Sequence, residues 1–268
     1  MKQQKFIITF FIVGFIVCAG CGTRNTEYKS TNYDSLKNVS VTIHRLADSA
    51  IRHIYLTFDD GPLEGSEDID DAVNKEDIKI NVFVVGQHAL SSARKKKYYI
   101  LYLDDSLIEV GNHSYSHAHN QYEKFYENPQ RVLQDFLKCQ VLLKIPNKYA
   151  RQPGRNQWRL KDTAINDVRS GSQSADLLYK NGFKVFGWDI EWQHDPKTAA
   201  PIQTVNDMAE LIEKKLKEKK TVKPGHLVLL SHDEMFRNGW EESELKQLIE
   251  KLKAKGNYRF EHLSDYPE

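Results

Sequence analysis

The sequence predicts an α/β protein whose strands form a single barrel related to the (β/α)8 type, with seven or eight units. From His53 onward, short apolar runs alternate with longer stretches of helical periodicity. Strands that are separated by helices usually run parallel and are joined by crossover connections. Polar residues follow several of the apolar runs directly, and functional groups of such barrels collect at the carboxyl ends of the strands.

The predicted elements cover the chain from residue 53 almost to its last residue. The apolar or alternating runs that predict strands lie at about 53–58, 79–86, 107–114, 147–153, 183–190, 226–233 and 258–263. Helical stretches lie between them at about 67–77, 87–104, 128–144, 173–181, 204–220 and 241–255. No repeat of fixed period and no internal linker interrupts this alternation, so residues 49–268 are expected to form one domain.

The N-terminal segment is predicted to lie outside this domain. Lys2 and Lys5 precede an apolar stretch at 6–17, and small residues follow it, which predicts an export signal over 1–20. The ending AGCG resembles the lipobox of bacterial lipoproteins, in which the residue matching Cys21 is lipidated and becomes the N-terminus. Cys18 stands where that pattern usually has Leu, and an uncleaved anchor or a plain secretory signal is the alternative. Residues 21–48 are polar and predict a tether.

Composition narrows the expected location and partners. The formal net charge of +1 over 268 residues gives no excess charge for nucleic acid. With Cys18 in the signal and Cys21 at the lipidation site, Cys139 has no partner for a disulfide, and its place in a helical pattern predicts a buried thiol. We expect an exported monomer on the periplasmic or cell-surface side, held at the membrane by a lipid on Cys21.

Two motifs supply candidate metal ligands. The first, TFDDGP at 57–62, places Asp59 and Asp60 where a strand gives way to a turn. The second, HSYSH, places His113 and His117 four residues apart, a spacing at which two imidazoles can face one centre. With a carboxylate from another strand end they would form a two-His, one-carboxylate site. Such a site leaves coordination positions open, as catalytic rather than structural metals require.

Together the two motifs resemble the first two motifs of the carbohydrate esterase family 4 polysaccharide deacetylases, over residues 52–266. The resemblance implies a distorted (β/α) barrel and hydrolysis of N- or O-linked acetyl groups on glycans such as chitin, peptidoglycan or acetylated xylan. It implies that Asp60 binds the metal with His113 and His117, and that Asp59 is the general base toward a metal-activated water. Zinc is the expected metal, and cobalt, nickel or manganese suit the same ligands.

The third and fifth motifs of the family are also recognisable. RQPG at 151–154 resembles the third, which implies that Arg151 pairs with Asp59 and orients it. Gly154 stands where the family usually has an aromatic residue, and its backbone N–H is a candidate donor to the oxyanion. LLSHD resembles the fifth, which implies that His232 is the general acid and that Leu230 lines the pocket for the acetyl methyl group.

The fourth motif leaves more than one assignment open. GWDIEW at 187–192 is one residue shorter than the family pattern, and Asp189 is favoured over Glu191 as the residue that orients His232 and raises its pKa. Trp188 is a candidate sugar-binding residue, although it could equally belong to the core. Two other functions remain as alternatives to a glycan deacetylase: a catalytically silent carbohydrate-binding lipoprotein, and a metal-dependent amidase that acts on a small non-sugar amide.

Overall fold

A ten-stranded sheet organises the protein, whose computed structural model describes residues 51–237 and 243–268. The strands cross the sheet in the order β6-β5-β7-β4-β3-β2-β1-β9-β8, and β10 pairs with the first half of β1. Most neighbours pair in parallel, whereas β5 pairs in antiparallel fashion with both β6 and β7. In chain order the strands are β1 (Arg52–Asp59), β2 (Ile80–Val84), β3 (Ile108–Asn112), β4 (Tyr149–Ala150), β5 (Trp158–Arg159), β6 (Ala164–Ile165), β7 (Lys184–Val185), β8 (Ile190–Glu191), β9 (His226–His232) and β10 (Tyr258–Phe260).

Helices connect the parallel strands. Asn128 caps the longest of them, accepting a hydrogen bond from the backbone N–H of Arg131, and Pro129 occupies its first turn. None of the described helices is long and apolar enough to cross a membrane. The α-helices are α1 (Ser66–Glu76), α2 (Gly86–Leu90), α3 (Ala93–Asp104), α4 (Tyr122–Tyr126), α5 (Pro129–Leu143), α6 (Ser172–Lys180), α7 (Val205–Lys217) and α8 (Glu244–Lys253); short 3₁₀ turns cover His117–Asn120, Asp233–Met235 and Leu263–Asp265.

The main core lies between the central strands and the helices on their outer face. Side chains of β1, β2 and β9 are buried along nearly their whole length, as expected for parallel strands that are covered on both faces. The buried stripes of α1, α7 and α8 pack against them. Cys139 is fully buried in the same core, which confirms the prediction made for its thiol.

The distorted α/β barrel expected from the sequence is confirmed, with one correction to its strands. The run at 183–190 forms two short strands, β7 and β8, which lie at different places in the sheet order and do not pair with each other. Between them, side chains supply part of the hydrogen bonding beside the backbone bonds from Phe186 to Ala150 and from Asp189 to Val228. Arg151 donates to the carbonyl oxygens of Phe186 and Gly187, and Asn156 bonds both the N–H and the C=O of Trp188.

Three further comparisons with the sequence concern single segments. The β5–β6 hairpin and helix α4 were not predicted, and the helical pattern at 87–104 is two helices, α2 and α3. The described residues belong to one compact unit, Ser49–Glu268. The export signal, the tether and the lipidation of Cys21 lie outside the described residues and stay predictions.

Candidate active site

The carboxyl ends of β1, β3 and β9 bring the predicted site residues to one edge of the barrel. Asp59 is the last residue of β1 and pairs in register with His232 at the end of β9. His113 directly follows β3. These side chains open into a cavity of about 170 Å³, which is lined by Asp59, Asp60, His113, His117, Tyr122, Gly154, Arg169, Trp188, Glu191, Leu230 and His232.

Asp60, His113 and His117 form a cluster that fits a divalent metal. The Oδ1 of Asp60 lies 2.9 Å from the Nε2 of His117 and 3.4 Å from the Nε2 of His113. One ligand atom from each residue can be chosen so that all three lie within 4.8 Å of one another. The Oδ1 of Asp60 is buried and has no partner in hydrogen-bond geometry among the described residues. Burial by itself would raise the pKa of Asp60, but the two imidazoles hold it well below its usual value.

Hydrogen bonds to the opposite ring nitrogens orient both imidazoles. The Nδ1 of His113 lies 2.9 Å from the carbonyl oxygen of Arg151, and a carbonyl can only accept, so this nitrogen carries the proton. The Nδ1 of His117 lies 3.3 Å from the Oδ1 of Asn120. Each contact holds its ring with Nε2 facing Asp60, and outer partners commonly orient a metal-binding histidine in this way.

The ion pair expected between Asp59 and Arg151 is present and buried. The Nη1 of Arg151 lies 2.9 Å from the Oδ1 of Asp59 and 2.7 Å from the hydroxyl of Thr57. The guanidinium is fully buried, and its other N–H groups donate to the carbonyl oxygens of Phe186 and Gly187. Four hydrogen bonds hold this rigid planar group in place, and one of them fixes the carboxylate of Asp59 at the cavity wall.

A second buried carboxylate, that of Asp233, anchors the turn after β1. It accepts hydrogen bonds from the backbone N–H of Leu63 at 3.0 Å and from the hydroxyls of Ser66 and Tyr102 at 2.7 and 2.6 Å. A Cβ at Gly61 would lie 2.7 Å from its Oδ2, so only glycine fits there without a shift. The turn that carries Asp60 is thereby tied to the chain that follows β9.

Asp189 does not orient His232, which corrects the assignment favoured from the sequence. Its Oδ1 accepts from the N–H of Val222 at 2.7 Å and its Oδ2 accepts from the N–H of Val228 at 2.8 Å. Both oxygens are thus used within the barrel wall, near the beginning of β9 rather than at its end. Burial raises the pKa of Asp189, and the two N–H groups partly oppose that rise.

Instead, His232 has another imidazole as its neighbour. The ring of His194 lies edge-on at 4.6 Å between centroids, and the Nε2 of His194 is 3.5 Å from Glu234. Among the described residues the buried Nδ1 of His232 has no hydrogen-bond partner. Burial lowers the pKa of His232, and the charges of Asp60 and Asp59 only partly offset this.

Two further contacts of the predicted site residues were not found from the sequence. The Nδ1 of His88 lies 2.6 Å from the carbonyl oxygen of Asp60, whose φ of +71° lies in the left-handed region. The ring of Tyr122 lies perpendicular to that of His117, with centroids 5.8 Å apart. A Cβ at Gly154 would lie 3.2 Å from the Tyr122 ring, so Tyr122 occupies the space next to this atypical glycine. Its only sequence signal is its place five residues after His117.

The two tryptophans of the fourth motif have different positions. Trp188 is partly exposed and lines the cavity, as does Leu230. Trp192 is fully buried in the core, and its Nε1 donates to the carbonyl oxygen of Gln203 at 2.9 Å. Glu191, the alternative to Asp189, lines the cavity and pairs in register with Leu230.

The fold and the site define a class: α/β barrel proteins with a two-His, one-carboxylate cluster at the carboxyl ends of their strands. Residues 47–163 match the family model described as polysaccharide deacetylase. This match covers 117 of the 268 residues and confirms, over that part of the chain, the resemblance seen in the motifs.

Comparison with individual proteins agrees with this family. The chain is 27% identical over 201 residues to a chitin disaccharide deacetylase from Vibrio alginolyticus, covering 52% of this chain and 47% of the relative, so it spans about half of that protein's length. A CE4 esterase of Streptococcus mutans has a similar structure, with a TM-score of 0.59 and 19% identity over 82% of this chain and 90% of that one. The catalytic domain of a peptidoglycan N-acetylglucosamine deacetylase from Eubacterium rectale gives a TM-score of 0.56 at 20% identity, covering 81% and 91%.

Proposed function

We propose that this protein is a divalent-metal-dependent deacetylase that hydrolyses acetyl groups on a glycan. The observation that carries the proposal is the convergence of the Asp60 Oδ1 and the two imidazole Nε2 atoms beside the buried Asp59–Arg151 ion pair. A two-His, one-carboxylate cluster leaves positions open for water and substrate, as hydrolytic metal sites do. The similarity to a chitin disaccharide deacetylase supports an acetylated amino sugar as the substrate.

Asp60, His113 and His117 would hold the metal, and we propose zinc because two imidazoles and one carboxylate suit it. A divalent ion bound there lowers the pKa of water and polarises the acetyl carbonyl group. Cobalt, nickel and manganese suit the same ligand set.

The remaining groups of the cavity provide the proton transfers. Asp59, fixed by Arg151, accepts the proton of the attacking water. His232, at the end of the neighbouring strand, delivers a proton to the leaving amine or alcohol while acetate is released. Because burial lowers the pKa of His232, the ring is mainly neutral at pH 7 and must gain its proton during the cycle. Leu230 and Trp188 line the space for the acetyl group and the sugar, and the N–H of Gly154 is the candidate donor to the oxyanion.

We also propose that the domain acts outside the cytoplasm as a lipoprotein. The order of basic, apolar and small residues before Cys21 supports this location. In that arrangement residues 21–48 tether the domain to the membrane, and the substrate is an extracytoplasmic glycan. Mass measurement of the mature N-terminus in a bacterial host would detect the lipid, and an unmodified Cys21 would contradict this part.

Acetate release from defined glycans tests the catalytic proposal. Purified protein would be incubated with chitooligosaccharides, peptidoglycan fragments and acetylated xylan, before and after chelation and after readdition of zinc. We expect release that chelation abolishes and zinc restores. Release that survives chelation would contradict metal dependence. Glycan binding without acetate release by metal-loaded protein would favour the silent carbohydrate-binding alternative, and release from small amides alone would favour the amidase.

A further inference from the structure

We propose that Arg169 forms an anion subsite at the mouth of the cavity, and that the substrate glycan carries a carboxylate close to the acetylated sugar. This inference rests on the proposed function, since it names the substrate class of the same site. Arg169 belongs to the stretch between the β5–β6 hairpin and α6, in which the sequence shows no binding motif.

The position of Arg169 is the first argument. Of the described residues that line the cavity, Arg169 is the only lysine or arginine, and its side chain is 52% exposed. The acidic groups Asp60 and Glu191 line the same cavity. At the rim, Arg169 therefore offers an anionic substituent the only guanidinium or ammonium group among the described lining residues.

The orientation of Arg169 is the second argument. Its Nε lies 3.1 Å from the Oδ1 of Asp167 and its Nη2 lies 3.0 Å from the Oδ2, so one edge of the guanidinium is clamped. Asp167 is nearly buried and also accepts from the backbone N–H of Asn156 at 2.7 Å. Burial would raise the pKa of Asp167, but these hydrogen bonds lower it to about 2, so the clamp persists at any physiological pH. The Nη1 of Arg169 makes no hydrogen bond to any other described residue and remains available to a ligand.

A shared support for Arg169 and Trp188 is the third argument. Asn156 donates from Nδ2 to the carbonyl oxygen of Trp188 at 2.9 Å and accepts at Oδ1 from its N–H at 3.0 Å. The backbone of this same asparagine holds Asp167, which clamps Arg169. Asn156 thus positions both Trp188, whose ring offers a surface to a sugar, and Arg169, whose cation can pair with an acidic group on that sugar or the next.

The charge of the cavity favours a carboxylate over a phosphate. Asp59 is balanced by Arg151, and Arg169 is already paired with Asp167. A dianionic phosphate would meet the charges of Asp60 and Glu191 with only one guanidinium opposite it, and that guanidinium is already paired with Asp167. A monoanionic carboxylate needs only one pair of donors. The N–H groups of Arg169 that do not bond Asp167 can supply this pair.

A matched pair of substrates tests the subsite. One is a peptide-free glycan strand whose acetylated sugars alternate with acetylated sugars that bear a carboxylate. The other is the same strand after reduction of its carboxylates to alcohols. The variants are Arg169→Gln and, as a control, Arg94→Gln, because Arg94 is also exposed and paired with acids, Glu64 and Glu67, but does not line the cavity. Binding is measured by calorimetry on the metal-loaded protein, and acetate release gives kcat and KM.

We expect Arg169→Gln to weaken binding of the carboxylated strand about tenfold and to raise its KM by a similar factor with little change in kcat, the size expected for one charge-assisted contact. Binding of the reduced strand stays unchanged, and Arg94→Gln behaves as the wild type with both strands. Equal losses on both strands would mean that Arg169 only holds its loop, and a wild type without preference between the strands would exclude the subsite. If Arg169-dependent binding occurs without acetate release, the subsite stands and the proposed deacetylase activity fails.

Discussion

Two histidine–carboxylate clusters lie at opposite ends of β1, and among the described residues only the one at its carboxyl end fits a metal. The upper cluster contains Asp60, His113 and His117 at the carboxyl end of β1. The lower cluster contains His53 and His226, which face each other in register at the amino ends of β1 and β9, together with Glu261 after β10. Composition alone would not separate these clusters.

Hydrogen bonding separates them. In the lower cluster the Nδ1 of His226 lies 2.8 Å from the hydroxyl of Tyr55, and the Nδ1 of His53 lies 3.3 Å from Glu261. The rings of the two histidines stack, with centroids 4.5 Å apart. In the upper cluster both Nε2 atoms instead converge on a buried oxygen of Asp60 that has no hydrogen-bond partner among the described residues. Unsatisfied, convergent ligand atoms therefore distinguish the candidate metal site from a structural cluster.

The largest difference between the clusters should appear in metal binding. Asp60→Asn removes the anionic ligand, and we expect zinc affinity to fall by more than about 100-fold, beyond the loss typical of outer partners. The lower-cluster variant Glu261→Gln is the matched control and should bind zinc as the wild type does. Competition against a chromophoric chelator measures both affinities. Unchanged affinity in Asp60→Asn, or equal losses in the two variants, would contradict the assignment of the upper cluster.

An effect on folding stability rather than on metal binding is expected when the support of the upper cluster is removed. Arg151→Met leaves the buried carboxylate of Asp59 without its partner and leaves two carbonyl oxygens of the 186–189 segment unpaired, so the free energy of unfolding should fall by about 3–5 kcal/mol. The double variant Asp59→Asn with Arg151→Met removes the uncompensated charge and should recover part of this loss. Denaturant unfolding measures both, and a double variant no more stable than the single one would argue against the ion pair as the cause.

The smallest effect is expected from acid titration of the lower cluster. Burial, and then the nearby His53, lower the pKa of His226 to about 4 in the folded protein. The folded state thus favours the neutral ring, and the contribution of His226 to stability is complete above pH 6.5 and is lost as the pH falls toward 4. We expect the stability difference between wild type and His226→Gln to shrink by about 1–2 kcal/mol over this range, after allowance for solvent screening. Parallel stability curves at pH 7 and 4.5 would contradict this titration.

The parts of the site that local motifs encode could be predicted from the sequence. Asp59 and Asp60 adjoin one strand end, and His113 and His117 follow another, so the parallel sheet brings them together without further information. The barrel followed from the same alternation of strands and helices. The role of each acidic residue is harder to assign in the fourth motif, which is one residue shorter than the family pattern. Asp189 precedes Glu191 by two residues, which places it roughly 7 Å lower along the strand, away from the cavity.

Residues outside the motifs could not be predicted because tertiary contacts bring them to the site. Tyr122 belongs to the short helix α4, and its ring reaches the cavity because Gly154 leaves space beside it. Arg169 reaches the cavity through its clamp to Asp167. Neither position follows a predicted strand, and each depends on how a loop folds back onto the barrel.

The hydrogen bonds of Asn156 divide the cavity into two parts with separate origins. The hydrolytic groups stand on the ends of β1, β3 and β9, whose spacing the sheet sets. Trp188 and Arg169 depend instead on the side chain and backbone of one asparagine and on the loop that Asp167 fastens to it. On the proposed function, replacement of the loop at 166–171 would change which glycan is accepted, while Asp60, His113 and His117 would keep their places at the ends of β1 and β3.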